Sequence, residues 1–268
     1  MVKNAKILTT SFVMVLITAC STTSLYTKMS EEEMIRLAKV DSLYTKISKI
    51  IAPNGQEISK EDAINLSPAD YYGERFIDPV TDSIVVKIRK ARKSDTKLKQ
   101  KIGFYSYYGK YADTITSKMM IDCAKTDSLL LAIYNKDQEN RSDDKELNAA
   151  IDAKNQQVLF NIIEQCGFPD SVKNKKESAF YAFIILLHSD GFLKKRYFEE
   201  IKKAVRRGDL DKRHLAYFKD KMAVSNEKKQ RYGTQMAFDD DGNMILAPVD
   251  NIKKVNKRRK KIGLPPVE

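Results

Sequence analysis

The chain has 268 residues, with 48 Lys and Arg against 36 Asp and Glu, for a formal net charge of +12. That length can bury a sizeable core in one large domain or two small ones, and three cysteines are too few for a disulfide scaffold. So basic a chain ordinarily invites a nucleic-acid reading, but its N-terminus argues against one.

Lys3 and Lys6 form a positive start, followed over residues 7–19 by an apolar stretch containing Thr9, Thr10, Ser11 and Thr18. A bilayer span needs roughly 20 apolar residues, so this stretch fits the transient apolar region of a secretory signal over residues 1–19. The signal ends in Leu16-Ile17-Thr18-Ala19-Cys20, which resembles the lipobox of bacterial lipoproteins. The resemblance implies cleavage before Cys20, a diacylglyceryl thioether on its sulfur, and further acylation of the new amine by a chain such as palmitate. Two or more acyl chains anchor stably where one does not. The alternative is a cysteine near an ordinary signal-peptidase site. Residues 20–29, beginning Cys20-Ser21-Thr22-Thr23-Ser24, read as a lipidated tether. Loss of Lys3 and Lys6 lowers the charge from +12 to +10. The expected location is the cell envelope, lipid-anchored and facing the periplasm or exterior. There a basic protein meets lipid headgroups, lipopolysaccharide or acidic polymers rather than nucleic acid. Cys123 and Cys166 either form one disulfide in that oxidising compartment or are small buried hydrophobes.

Residues 30–51 open with Ser30 as an N-cap and Glu31, Glu32 and Glu33 in the first turn. Met34, Leu37, Ala38, Val40, Leu43, Ile47 and Ile50 follow near helical spacing, predicting one amphipathic helix that stops at Pro53-Asn54-Gly55. From 56 to 112, Pro68, Gly73, Pro79, Gly103 and Gly109 interrupt every periodic stretch, although residues 83–88 fit a short strand. Phe104, Tyr105, Tyr107, Tyr108 and Tyr111 form an aromatic cluster that covers a core edge or stacks on a ligand. Residues 30–112 are thus an N-terminal helix and a mixed, irregular region.

Residues 113–268 read as a helical domain. Ile115, Met119, Ala124, Leu129, Leu130, Ile133 and Tyr134 predict helix over 112–140, and Asp143-Asp144 open a helix carrying Leu147, Ile151, Val158, Leu159, Ile162 and Ile163. Cys166-Gly167-Phe168-Pro169 stops it. Residues 179–187 are apolar on every side, as the central helix of a bundle would be. Amphipathic helices follow over about 192–207 (Leu193, Tyr197, Ile201, Val205, stopped by Gly208) and about 211–226 (Leu215, Phe218, Met222). Met236-Ala237-Phe238, an Asp-rich turn and Met244-Ile245-Leu246 suggest a hairpin, and residues 253–261, mostly basic, a solvated helix face docked by its aliphatic stems. The fold class is mainly α: a helical, bundle-like C-terminal domain with a small β-hairpin near the C-terminus, and a mixed, irregular N-terminal region.

The C-terminal half carries a series of polar motifs: Asp137-Gln138 with Arg141, Asp152 with Asn155, Gly167-Phe168-Pro169, His188-Ser189-Asp190, and Leu215-Ala216-Tyr217 with Asp220. Gln230, Tyr232-Gly233-Thr234-Gln235, Pro248, Asn256, Arg258-Arg259 and Gly263-Leu264 follow. In order and spacing this resembles an uncharacterised bacterial family with a Y-G-T-Q signature. The resemblance implies no activity. Phe168 stands where the family has tryptophan and Lys221 where it has arginine, so neither an indole donor nor a guanidinium fork is available at those positions.

His188 ends the apolar helix with Asp190 close by, and a histidine oriented by a carboxylate is how a general acid or base is built; the alternative is a helix cap followed by a turn. Asp137 and Arg141 are spaced for an i, i+4 pair. Together with Gln138, Asp152, Asn155, Tyr232 and Gln235 they are candidate ligand-binding residues, should they converge on His188. Asp239, Asp241 and Asn243 imitate a calcium loop, but Met244 and Asp250 occupy the positions that need glycine and glutamate, so they read as a turn. No G-x-S-x-G, H-E-x-x-H, phosphate loop or C-x-x-C occurs, and neither metal nor cofactor is expected. The favoured function is a membrane-anchored module that binds a protein or envelope polymer, of immunity or inhibitor type. The rival is an envelope hydrolase or transferase with His188 as acid/base and Asp190 as its orienter.

Overall fold

A computed structural model describes residues 26–67, 70–142, 146–239 and 242–267. The signal sequence, Cys20, Pro68, Asp143, Asp144 and Asp241 lie outside the described residues. The chain is mainly α. An N-terminal α+β layer precedes a helical body, and a small hairpin with a last helix closes the chain.

The N-terminal layer departs from the expected single helix and irregular stretch. Strand β1 (Thr27–Lys28) leads to α1 (Glu31–Lys39), whose N-cap Ser30 and Glu33 make a reciprocal capping box. The helix ends early: Asp41 takes a left-handed φ of 54° before the one-turn α2 (Ser42–Thr45). Ile47–Ile51 then form β2 instead of continuing the helix. Three isoleucines in those five positions favour an extended backbone, and pairing with a distant strand decides the outcome. That partner is β5 (Ile84–Lys90), parallel to β2, in a five-stranded sheet of order β1-β4-β5-β2-β3. Here β3 is Glu57–Ile58 and β4 is Tyr71–Ile77, antiparallel to β5. A Cβ on Gly73 would lie 2.7 Å from Val86 Cγ1, so this strand glycine admits a close neighbour. After the short α3 (Lys60–Ile64) and the β4–β5 hairpin comes α4 (Lys93–Tyr108), a helix that Gly103 and the crowded tyrosines disguise in the sequence.

Helix α4 belongs to both cores. Ile102 packs with Leu37, Leu43, Ile84 and Val86 under the sheet, whereas Tyr108 joins the larger core of the helical body. That body comprises α5 (Thr126–Asn140), α6 (Ala149–Cys166), α7 (Ser178–His188), α8 (Gly191–Arg196), α9 (Phe198–Arg207) and α10 (Lys212–Ser225). Helix α7 is the central element expected from its composition, with Ala182 and Leu186 fully buried. The expected helix over 192–207 is broken at Tyr197 into α8 and α9.

Two further expectations need correction. Residues 112–140 are not one helical stretch: a 3-10 turn (Gly109–Thr114) is followed by irregular backbone up to α5. Amide side chains of α6 hold that backbone, Asn161 Nδ2 donating to Ser117 O at 2.9 Å and Gln165 Nε2 to Met119 O at 2.8 Å. A segment satisfied by side chains in this way has no need of its own helical ladder. Helix α6 does not start at the Asp143-Asp144 pair but at Ala149, where the Asn148 side chain accepts from Ala150 N.

Cys123 and Cys166 form a disulfide that clips the start of α5 to the end of α6. Past α10, β6 (Met236–Phe238) and β7 (Met244–Leu246) pair as a hairpin, and α11 (Ile252–Lys260) follows. Among the described residues, no helix is long and apolar enough to cross a membrane.

The bridged cysteines are 43 residues apart. Replacing both by serine is expected to lower unfolding free energy by about 2–4 kcal/mol through the released loop, measured by urea denaturation. An unchanged midpoint would show that the amide clamp alone holds this segment.

Candidate functional site

The helical body is organised around an array of buried polar groups where α4, α5, α6 and α7 meet. Asp152, in the first turn of α6, is 3 % exposed and accepts four hydrogen bonds. Arg141 donates through Nη1 and Nη2 at 2.9 and 2.8 Å, Asn140 Nδ2 at 2.9 Å, and Tyr107 Oη of α4 at 2.9 Å. The guanidinium also pairs with Asp137, 2.8 Å away and 2 % exposed. The expected i, i+4 pair is therefore one side of a triad in which a single Arg holds two buried carboxylates. Burial alone would lower the Arg141 pKa, but the Asp152 hydrogen bonds and the Asp137 charge outweigh it and raise it. Burial, followed by the Asp152 charge, pushes the Tyr107 phenol above its ordinary range.

Asp137 is also the carboxylate that holds His188. Its Oδ2 lies 2.8 Å from His188 Nδ1 and accepts from Gln138 Nε2 at 2.9 Å. The histidine side chain keeps 27 % of its surface exposed, so one ring nitrogen is fixed and the ring edge reaches solvent. Asp190 does not orient His188. It is the N-cap of α8, accepting from the backbone N–H groups of Phe192 and Leu193. A carboxylate two residues past a helix end is well placed to cap the next helix, and the free carboxylate for His188 comes from α5, 51 residues earlier.

Around this array the polar groups are less completely satisfied. Asn155 and Gln156 are both 2 % exposed; Gln156 Nε2 donates to Tyr108 Oη at 2.5 Å, while Asn155 Nδ2, Gln156 Oε1 and Asp190 Oδ2 have no partner among the described residues. Burial raises the Asp190 pKa despite its backbone donors. Lys194 of α8, 4 % exposed, turns its ammonium to Ser189 O. Burial first and the Lys221 charge second bring its pKa down to about 8. Nothing in the sequence marks Lys194, because a lysine on a charged helix reads as exposed. Tyr107 and Asn140 were equally hidden: the first lay among neighbouring tyrosines and the second beside the more conspicuous Asp137 and Arg141.

Tyr232 and Gln235 belong to a different construction. Asp220 of α10, fully buried, accepts from the backbone N–H groups of Arg231, Tyr232 and Thr234 and from Thr234 Oγ1, at 2.8 to 3.1 Å. Gln230 closes the loop by accepting from Gln235 N and donating to Gln235 O and Ala247 O. Arg259 of α11, 8 % exposed, donates to Tyr232 O and Gly233 O. The Y-G-T-Q segment thus ties α10, the hairpin and α11 together through its backbone. Asp239 and Asn243 form a closed turn, Asn243 N donating to Asp239 Oδ1 at 2.7 Å. Among the described residues, no group of three His, Cys, Asp or Glu is placed to hold a metal ion.

Removing the shared cation strands both carboxylates. Arg141→Met is expected to cost about 3–5 kcal/mol, the usual penalty for an orphaned buried charge, in chemical denaturation; a loss below about 1 kcal/mol would mean that water replaces the guanidinium at little cost. Lys194 is expected to make stability rise with pH. The unfolded chain releases this proton near 10.5 and the folded chain near 8, so between those values the unfolded state binds more protons. Relative to Lys194→Met, the wild type should gain about 3 kcal/mol across that window; parallel stability curves for the two proteins would contradict the assignment.

Residues 139–268 match a family described as a family of unknown function, DUF6624. The match takes in Arg141, Asp152, His188, Asp190, Lys194 and the Asp220 knot, and leaves Tyr107 and Asp137 outside it. No curated protein and no solved structure matches the chain. The helical body from Glu139 onward is therefore similar to an uncharacterised domain family, and its polar array is completed by Tyr107, Asp137 and Gln138 from the preceding chain.

Proposed function

We propose that the chain is a lipoprotein of the bacterial cell envelope, anchored through Cys20, whose helical domain is a binding module for an envelope protein or polymer. The observation that carries binding over catalysis is the closure of the two central carboxylates: Asp137 and Asp152 take their hydrogen bonds from Arg141, Asn140, Gln138, Tyr107 and His188, all internal donors. A site that must receive substrate offers unsaturated groups, whereas a saturated one fixes a surface. The Cys123–Cys166 disulfide supports the address, since such bonds persist in oxidising compartments. The positive charge supports partners that are anionic.

A second reading rests on His188. A histidine held at Nδ1 by Asp137, with an exposed edge, is the arrangement of a general acid or base. In an envelope hydrolase or transferase built on it, Asp137 rather than Asp190 would be the orienting carboxylate.

Metabolic labelling with palmitate, followed by pulldown from native membranes, tests both readings. The wild type should carry label that Cys20→Ala lacks, and His188→Asn should retain the same partner as the wild type. An unlabelled wild type would remove the anchor. A folded His188→Asn protein that accumulates an envelope substrate in cells, with the partner retained, would favour the enzyme.

A further inference from the structure

The hairpin that follows the Y-G-T-Q segment is built unlike a surface ribbon that faces only water. Its register pairs Met236 with Leu246 and Phe238 with Met244, which places these four side chains on one face of the ribbon, with Ala237 and Ile245 on the other. On the first face Met236, Phe238 and Met244 are 51, 75 and 66 % exposed. Ile245 on the opposite face is exposed as well, whereas Ala237 and Leu246 are half-buried, so the ribbon is seated by these two and leaves the other four side chains open. An isolated two-stranded ribbon is at best marginally stable in water, and a continuous apolar face of this kind marks a contact surface.

Beside it lies the most basic part of the chain. Helix α11 turns Val255 and Arg259 inward and exposes Lys253, Lys254, Lys257 and Lys260; Lys261 continues the row, and Lys228, Lys229 and Arg231 stand at the base of the loop. None of these exposed cations is ion-paired among the described residues. The ribbon and the helix are fixed to the same loop: Gly233 packs so closely that a Cβ there would lie 3.5 Å from Val255 and 3.6 Å from Leu246, and Arg259 donates to Gly233 O. Residues 228–268 hold ten basic and five acidic residues. That imbalance opposes self-association through this face and complements an anionic surface.

We propose that the β6–β7 ribbon and α11 together form a docking face for an anionic lipid bilayer, with Met236, Phe238 and Met244 entering the interfacial region while the α11 lysines meet the headgroups. The ribbon lies flat. End-on insertion would bury the carboxylate of Asp239 at the hairpin turn, which is costly, whereas a flat approach leaves it in water. Methionines suit such a face because their flexible side chains adapt to a disordered partner. The inference builds on the envelope reading but does not require the Cys20 anchor, because both contacts belong to the folded domain.

The chain has no tryptophan, so Phe238→Trp supplies a single reporter. The protein, purified from membranes and reconstituted in vesicles of phosphatidylcholine alone or with phosphatidylglycerol, is followed by emission maximum and by quenching with brominated lipid. Docking is expected to shift the emission to the blue and to quench it severalfold more strongly in the anionic vesicles. The triple change Lys253→Glu, Lys257→Glu and Lys260→Glu, or 1 M salt, where screening reaches about 3 Å, should return the signal to its value in neutral vesicles. Circular dichroism confirms that the variant is folded. Equal quenching in neutral vesicles, or none in anionic ones, would overturn the proposal. Flotation with neutral vesicles reports the Cys20 anchor separately, so either idea can fail while the other stands.

Discussion

One guanidinium between two buried carboxylates sets the arrangement of the helical body. Arg141 lies at the C-terminal end of α5, Asp137 one turn before it, and Asp152 in the first turn of α6. Charges buried this deeply are tolerated only when paired with good geometry, and the bidentate contact to Asp152 supplies it. Every element that contributes a donor is thereby fixed relative to the others: Tyr107 brings α4, Asn140 the end of α5, and His188 the end of α7. Because α4 also carries Ile102 in the core beneath the sheet, the triad couples the α+β layer to the helical body through one helix.

Asp220 does the same for the C-terminal part by a different means. Among the described residues no cation forms an ion pair with it; backbone N–H groups of residues 231, 232 and 234 bind it, with the Thr234 hydroxyl. Substituting such a carboxylate would undo a loop rather than a salt bridge. The loop then presents its carbonyls to Arg259, which anchors α11 and leaves that helix's lysines facing outward. Motif residues that read as candidate ligand-binding groups in the sequence are thus explained largely by backbone satisfaction.

How much of this is legible in the sequence depends on whether local pattern or distant pairing decides an element. Helix α7, the Cys166-Gly167 stop and the hairpin were legible because uniform apolarity, a glycine at φ 86° and paired apolar triplets act locally. The strand Ile47–Ile51 was not, because its apolar spacing suits a helix as well and its parallel partner lies beyond a long connection. Likewise the pairing of Asp137 with Arg141 followed from spacing alone, but Asp152 and His188 join them only through tertiary packing. Proximity in sequence gave the wrong carboxylate for His188, since Asp190 is consumed by the start of α8.

Two of the strained groups, Asp190 and Lys194, belong to the start of α8, whereas the saturated carboxylates lie in α5 and α6. Lys194 is buried where its charge is disfavoured, close to Asp190, whose second oxygen has no partner among the described residues. Leucine or methionine would fill the same volume at lower cost, so the charge is not there for packing. Stability is given up at the α7–α8 turn, one residue past His188, while the neighbouring triad restores rigidity. The α7–α8 junction thus carries a disfavoured charge beside Asp190, while the Asp137 contact to His188 fixes the end of α7.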